Sequence, residues 1–153
     1  MKPNYFISKD KSLLNVRAIQ GFIANSYWGN NRTIEDVKTT IEHSYCFGIY
    51  TTENEQIGFA RVVTDYIYFG YFMDVIILDK FQGQGFGKKL VTFMLDDPII
   101  KNLKTIALKT KDAHKLYERY GFNKIGDSAL WMSIDKQNFR INENYTSHRY
   151  HRR

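Results

Sequence analysis

The sequence predicts an α/β (α+β) fold, a mixed and mostly antiparallel sheet of about six to seven strands flanked by about four helices. Three observations lead there. Strand-like runs follow one another between residues 45 and 78, with turn residues between the first two, as in an antiparallel meander. The last of them ends in Asp74-Val75-Ile76-Ile77-Leu78, apolar at consecutive positions and therefore expected to be buried on both faces. A glycine-rich loop and an amphipathic helix come next, so the meander turns into a β-α-β crossover.

The elements follow in chain order. Residues 4–8 are expected as a short first strand. Residues 12–26 read as a helix, with Leu14, Ala18 and Phe22 at four-residue steps and Ile19 and Ile23 beside them. Thr33 is a good N-cap for a second helix, with Asp36 three residues on in a near capping box; Ile34, Val37 and Ile41 supply its apolar face. Strands are expected at 45–52, 56–64 and 69–78, followed by a helix over 85–95 whose inner face is Leu90, Val91, Met94 and Leu95. Pro98 lies beyond that helix. A short strand at 105–109, a helix at 113–120 ended by Gly121, and two last strands at 122–125 and 130–134 complete the order β-α-α-β-β-β-α-β-α-β-β.

Composition bounds the function. The 153 residues suffice to bury a core, and 43% hydrophobic with 25% charged residues is the balance of a globular domain. Aromatics reach 16% and crowd between Tyr45 and Phe81, which favours a broad sheet over a helical bundle. One cysteine, Cys46, excludes an internal disulfide and most cysteine-built metal centres, and suits a reducing compartment. No run approaches the ~18 apolar residues of a membrane span, and no signal-peptide pattern opens the chain, so a cytoplasmic location is expected. The net charge is +6, half of it in residues 140–153, where Arg140, Arg149, Arg152 and Arg153 face only Glu143. We therefore divide the chain into a domain at 1–139 and a basic, weakly ordered tail at 140–153. The mild excess of +3 on the domain suits a small polyanionic ligand and does not call for nucleic acid.

The loop Gln82-Gly83-Gln84-Gly85-Phe86-Gly87 carries the chemistry. Alternating glycines open the backbone to close approach, and the free amides of a helix N-terminus favour an anion. The spacing fits neither common nucleotide motif. A dinucleotide fingerprint would need glycine at Lys88, and a P-loop would need glycine at Gln82 and Ser or Thr at Lys89. What remains is Q-x-x-G-x-G, a pattern that read alone also allows a tight strand-to-helix turn with no ligand.

Together, residues 74–89 (D-V-I-I-L-D-K-F-Q-G-Q-G-F-G-K-K) and residues 108–122 (L-K-T-K-D-A-H-K-L-Y-E-R-Y-G-F) resemble the two cofactor blocks of the GNAT N-acetyltransferases. The resemblance extends over residues 4 to about 134 and implies acetyl-CoA as cofactor and an amine, small or peptidic, as acceptor. It implies a splayed strand whose backbone at Ile76, Ile77 and Leu78 bonds the pantetheine, with an N–H near Ile77 as oxyanion donor. Amides from Gln82 through Gly83, Gln84, Gly85, Phe86 and Gly87 to Lys88 would take the pyrophosphate. Thr110 stands where the family often has Asn, and Tyr117 where it has a tyrosine near the cofactor sulfur acting as general acid. Asp74 and Asp65 are the candidate carboxylates for a base, with Asp74 read alternatively as a carboxylate bonded to backbone at the strand opening, and Tyr27, Trp28, Asn30, Asn31 and Arg32 are expected at the acceptor pocket. Two other classes remain open. One is a non-catalytic acyl-CoA sensor of the same fold; the other is a nucleic-acid-binding protein using the basic tail. Edge strands of such a sheet would allow a homodimer.

Overall fold

The computed structural model describes residues 3–26, 28–29, 31–125 and 128–136. Five strands form one sheet in the order β1-β2-β3-β4-β5: β1 Tyr5–Ser8, β2 Tyr45–Thr51, β3 Gln56–Thr64, β4 Phe69–Ile77 and β5 Thr105–Leu108. The first four are antiparallel neighbours, and β5 runs parallel to β4. The helices are α1 Val16–Ala24, α2 Ile34–Glu42, α3 Phe86–Asp96, α4 Pro98–Lys101 and α5 His114–Glu118.

Local chemistry explains most boundaries. The expected helix over 12–26 begins late, because Asn15 turns its side chain back to accept the Ala18 N–H and becomes the N-cap of α1. The preceding residues Lys11–Leu13 close instead into a 3-10 turn capped by Asp10. Thr33 and Asp36 complete a reciprocal capping box at α2, at 3.1 and 3.0 Å. Asp97 accepts the N–H groups of Ile99 and Ile100 ahead of Pro98, which starts the short α4 that periodicity alone does not reveal. Its carboxylate also takes Lys9 Nζ at 2.9 Å and the Tyr45 hydroxyl at 2.7 Å, tying the end of β1 to β2 and α4.

The sheet carries a hydrophobic cluster on each face. On one face, Phe47, Ile49, Ile57, Val62 and Phe72 meet Phe86, Leu90 and Met94 of α3. On the other, Cys46 and Phe59 meet Ile19 and Ile23 of α1 and Val37 and Ile41 of α2.

The two last strands expected at 122–125 and 130–134 are absent among the described residues, which reduces the sheet to five strands. The reason begins at Gly121, left-handed at φ 91°. Its N–H bonds the Glu118 carbonyl and the next N–H, of Phe122, bonds that of Tyr117, a glycine-terminated helix end with the hydrophobic contact that usually accompanies it. Phe122 is thereby used to close α5 over the core rather than to start a ladder. Residues 131–136 then run without strand pairing, held by Trp131 beside Phe69 and by the Lys109–Asp135 ion pair.

Glycine is sterically required where β3 passes β4. A Cβ at Gly58 would overlap the Ile76 carbonyl oxygen and come within 2.7 Å of Ile77 Cδ1. Gly58→Ala should therefore cost about 1–3 kcal/mol, the usual range for overpacking. Urea denaturation checks this, and an unchanged midpoint would contradict the close approach.

Candidate active site

The site begins where β4 leaves β5. Their ladder runs from Phe69↔Thr105 to Phe72↔Leu108 and stops there, while β4 stays paired with β3 as far as Ile77. Among the described residues, 73–77 thus have one backbone edge without a strand beside it. A bulge marks the parting, since Asp74 and Val75 together oppose Ala60, between the pairs Arg61↔Met73 and Phe59↔Ile76. Asp74 takes the left-handed conformation there, at φ 52°.

Beyond the bulge the backbone alternates its N–H groups. Leu78 N–H bonds the Ile57 carbonyl on the β3 side, so the N–H of Ile77 is directed to the open side. Gln82 lies across that end, with its amide nitrogen donating to the Ile77 carbonyl at 2.9 Å. The loop then turns through Gly83 at φ 75° and Gly85 at φ 85° into α3. No side chain caps this helix. Among the described residues, the N–H groups of Gly83, Gln84, Gly85, Phe86, Gly87 and Lys88 make no hydrogen bond within the chain. Six adjacent unsatisfied donors at the positive end of an 11-residue helix form a cradle for an anion. A surface cleft of about 620 Å³ runs along the outside of α3 and meets the loop only at Gly85 and Lys88, so it is separate from the strand opening.

Tyr117 reaches the α3 side of the opening through aromatic packing. Its ring lies 5.6 Å from that of Phe122, which lies 5.9 Å from Phe72 at the last β4–β5 rung. Burial, with a smaller contribution from Asp112, pushes its phenol up to about 12. Thr110 accepts the Ala113 N–H at 3.0 Å and so heads α5.

Asp74 occupies the opposite face, under the connection between α1 and α2, and its side chain is 1% exposed. One oxygen receives Arg61 Nε and Arg32 Nη1, both at 2.6 Å, and the other receives Trp28 Nε1 at 3.1 Å. Arg61 also donates to Ser44 Oγ at 3.1 Å and to Met73 Sδ at 3.3 Å.

The structure thus gathers Asp74, Trp28, Ile76, Ile77, Leu78, the glycine loop and Tyr117 around one parting of strands. It leaves Asp65 away from them, accepting the N–H groups of Ile67, Tyr68 and Phe69 in the β3–β4 turn. Tyr27, Asn30 and the basic tail lie outside the described residues. Arg61 and Ser44 join the site without having been expected there. A signal for Arg61 exists in the sequence, since one arginine inside the apolar run Ile57–Val63 must find a buried partner, and the next strand offers one carboxylate.

Comparison with known proteins adds four findings. Residues 42–124, more than half of the chain, match the family described as acetyltransferase (GNAT) domain. The chain is 33% identical to a structurally determined GNAT-family protein from Xanthomonas campestris pv. campestris, over 88% of this chain and 95% of that one, with a TM-score of 0.83. It is 28% identical over 110 residues to a Gibberella zeae protein whose name describes a candidate acetyltransferase, covering 60% of this chain and 62% of that relative's length. At the level of fold alone it also resembles spermidine N-acetyltransferase from Vibrio cholerae, solved with CoA and spermine, at 23% identity and a TM-score of 0.65 over 80% of this chain and 83% of that one.

Removing the Asp74 charge would leave two guanidinium groups without their shared partner. Asp74→Asn should destabilise the domain by about 3–5 kcal/mol, as expected when one member of a buried ion cluster is lost. Thermal and urea unfolding measure it, and stability close to the parent protein would show that the cluster is not buried as described.

Proposed function

The chain belongs to the GNAT acetyltransferase family, whose members transfer acyl groups from acetyl-CoA, and on that premise we propose that it acetylates a primary amine by direct transfer in a ternary complex. The observation that carries this reading is the coincidence of two unsatisfied backbone surfaces. One is the free edge of β4 at residues 73–77, and the other is the row of donors from Gly83 to Lys88.

Acetyl-CoA, when bound, supplies an acyl group activated as a thioester. The chain's own contribution is positional and electrostatic. Of Ile76, Ile77 and Leu78, Ile77 is the one that turns its main-chain groups to the open side, where an extended pantetheine arm would lie in the manner of an added strand; Leu78 already bonds the Ile57 carbonyl through its N–H and the Phe81 N–H through its carbonyl, and Ile76 faces β3 by the same alternation. Amides from Gly83 to Lys88 hold the diphosphate, helped by the dipole of α3, while the Gln82 N–H, expected among them, is spent on the Asp79 carbonyl. The Ile77 N–H is aimed at the open side, where negative charge develops on the acyl oxygen, and a preorganised donor of this kind is a large catalytic contribution. Holding the amine beside the thioester converts a bimolecular encounter into an oriented one.

Tyr117 is assigned the donor to the departing sulfur. A phenol raised to about 12 is fully protonated at neutral pH, yet it is a weaker acid than an alkyl thiol at about 8.5. Its role is therefore to hydrogen-bond the sulfur as charge builds, and the departing thiolate takes its proton from solvent. Asp74, expected as the base, is bonded to two guanidinium groups and an indole, and accepting a proton would dismantle them. We assign it to positioning. Solvent then receives the ammonium proton.

Calorimetry with acetyl-CoA, together with thiol release in the presence of amines, tests the proposal. Binding without any thiol release would make the chain a non-catalytic acyl-CoA sensor, and no binding at all would remove the reading. Tyr117→Phe should lower kcat by roughly 10²-fold while leaving acetyl-CoA affinity nearly unchanged. With the phenol pushed up to about 12, the parent enzyme should keep its tyrosine-dependent turnover through pH 10. A loss of kcat centred near pH 10 that disappears in Tyr117→Phe would contradict the burial of that hydroxyl.

A further inference from the structure

We propose that the acceptor amine carries an oxyanion, a carboxylate or a phosphate, which seats against Arg32 on the α1–α2 side of the strand opening. The inference rests on the acyltransfer reading above and narrows its acceptor.

The first argument is a charge count. Arg32 and Arg61 converge on the single carboxylate of Asp74, and the three side chains are 15%, 6% and 1% exposed. The cluster therefore carries one positive charge more than it neutralises, in a place where charges are normally held in pairs. No second carboxylate among the described residues bonds either guanidinium. Asp36 does feel Arg32, but its carboxyl is held low chiefly by hydrogen bonds with Thr33 and least by Arg32, and it is spent on the α2 capping box. Lys11 on the same side of the sheet adds positive charge rather than removing it, acting on Cys46 together with Arg61.

The second argument is a donor count. Arg61 spends Nε, Nη1 and Nη2 on Asp74, Ser44 and Met73. Arg32 spends Nη1 on Asp74, and its Nε and Nη2 make no hydrogen bond among the described residues. These two nitrogens form one edge of the guanidinium plane, the fork that matches two oxygens of a carboxylate or phosphate. Asp74 holds the far side of the plane, so the free edge is oriented before any ligand arrives.

The third argument is position. Asp74 lies two residues beyond the last β4–β5 rung and three residues before Ile77, whose N–H is assigned to the acyl oxygen. Three residues of strand span on the order of 10 Å, a separation that a small acceptor bridges with its own body, amine at one end and anion at the other. A polyamine would instead bring a second ammonium group to an uncompensated guanidinium. The fold likeness to a spermidine enzyme therefore does not extend to its acceptor.

The test uses the full chain with acetyl-CoA and follows thiol release with four kinds of amine: free amino acids, their methyl esters, phosphoethanolamine and spermidine. An acidic acceptor should exceed its neutral ester and spermidine by about 10- to 100-fold in kcat/KM, the range for losing a hydrogen bond to a charged group. The ester has the less basic amine and would react faster if the anion were ignored, so the comparison is weighted against the proposal. Arg32→Gln should raise KM for the acidic acceptor by a similar factor and collapse the acid-to-ester ratio, a ratio that any common effect on acetyl-CoA binding leaves unmoved. The amino acid and phosphoethanolamine arms distinguish a carboxylate from a phosphate. The proposal is overturned by preference for esters or spermidine, by an unchanged ratio in Arg32→Gln, or by a chain that binds acetyl-CoA yet uses no acidic amine. Failure to bind acetyl-CoA is a different result, which removes the acyltransfer reading and this one with it. The acid-to-ester ratio of the parent protein needs no variant, so it remains decisive even where Arg32→Gln folds poorly.

Discussion

A carboxylate on a left-handed residue in the middle of a strand is held by two guanidinium groups and an indole, and the geometry of the whole site turns on it. A non-glycine residue at φ 52° costs about 1–3 kcal/mol, and it persists only when its surroundings over-determine it. Here the surroundings are Arg61 from β3, with Arg32 and Trp28 from the connection between α1 and α2. Their bonds offset the strain and fix the bulge. The bulge in turn shifts the register of β4, turning Phe72 and Val75 toward α3 and Asp74 toward the opposite helices. It sits where β4 and β5 separate, and so where backbone becomes available.

The two faces of that opening divide the labour. On the α3 side the offered groups are peptide N–H groups, from Ile77 and from Gly83 to Lys88, with Tyr117 standing by on its aromatic supports. Main-chain donors are indifferent to side-chain identity and suit an anion of any carrier. On the α1–α2 side the offered groups are side chains, whose charge and shape change with sequence. A fold that binds one donor molecule through its backbone can change acceptors by changing a few residues on the other face.

The same division governs which features are legible in the sequence. Periodicity locates the meander, the buried third strand, the glycine loop and α3, because each is a local pattern with a local cause. The capping box at Thr33 and Asp36 is legible for the same reason. The last two strands are not. The alternating Leu130-Trp131-Met132-Ser133-Ile134 has strand chemistry, but the glycine-terminated end of α5 commits Phe122 to the core, and Leu130, Met132 and Ile134 are left exposed.

The residues by themselves determined the order of the elements from β1 to α5, the short α4 apart, and the family, because two blocks in the right order, at residues 74–89 and 108–122, carry the resemblance. Which charges meet was decided only by the tertiary structure. Arg32, Arg61 and Asp74 are separated by 29 and 13 residues along the chain. Arg61 stands out as a charge inside an apolar run, but nothing local marks Arg32 as its companion on the same carboxylate until β3 pairs with β4 and Arg32 reaches Asp74. Electrostatic pairing in a buried site depends on distances of a few ångströms between remote segments, and packing alone sets those distances.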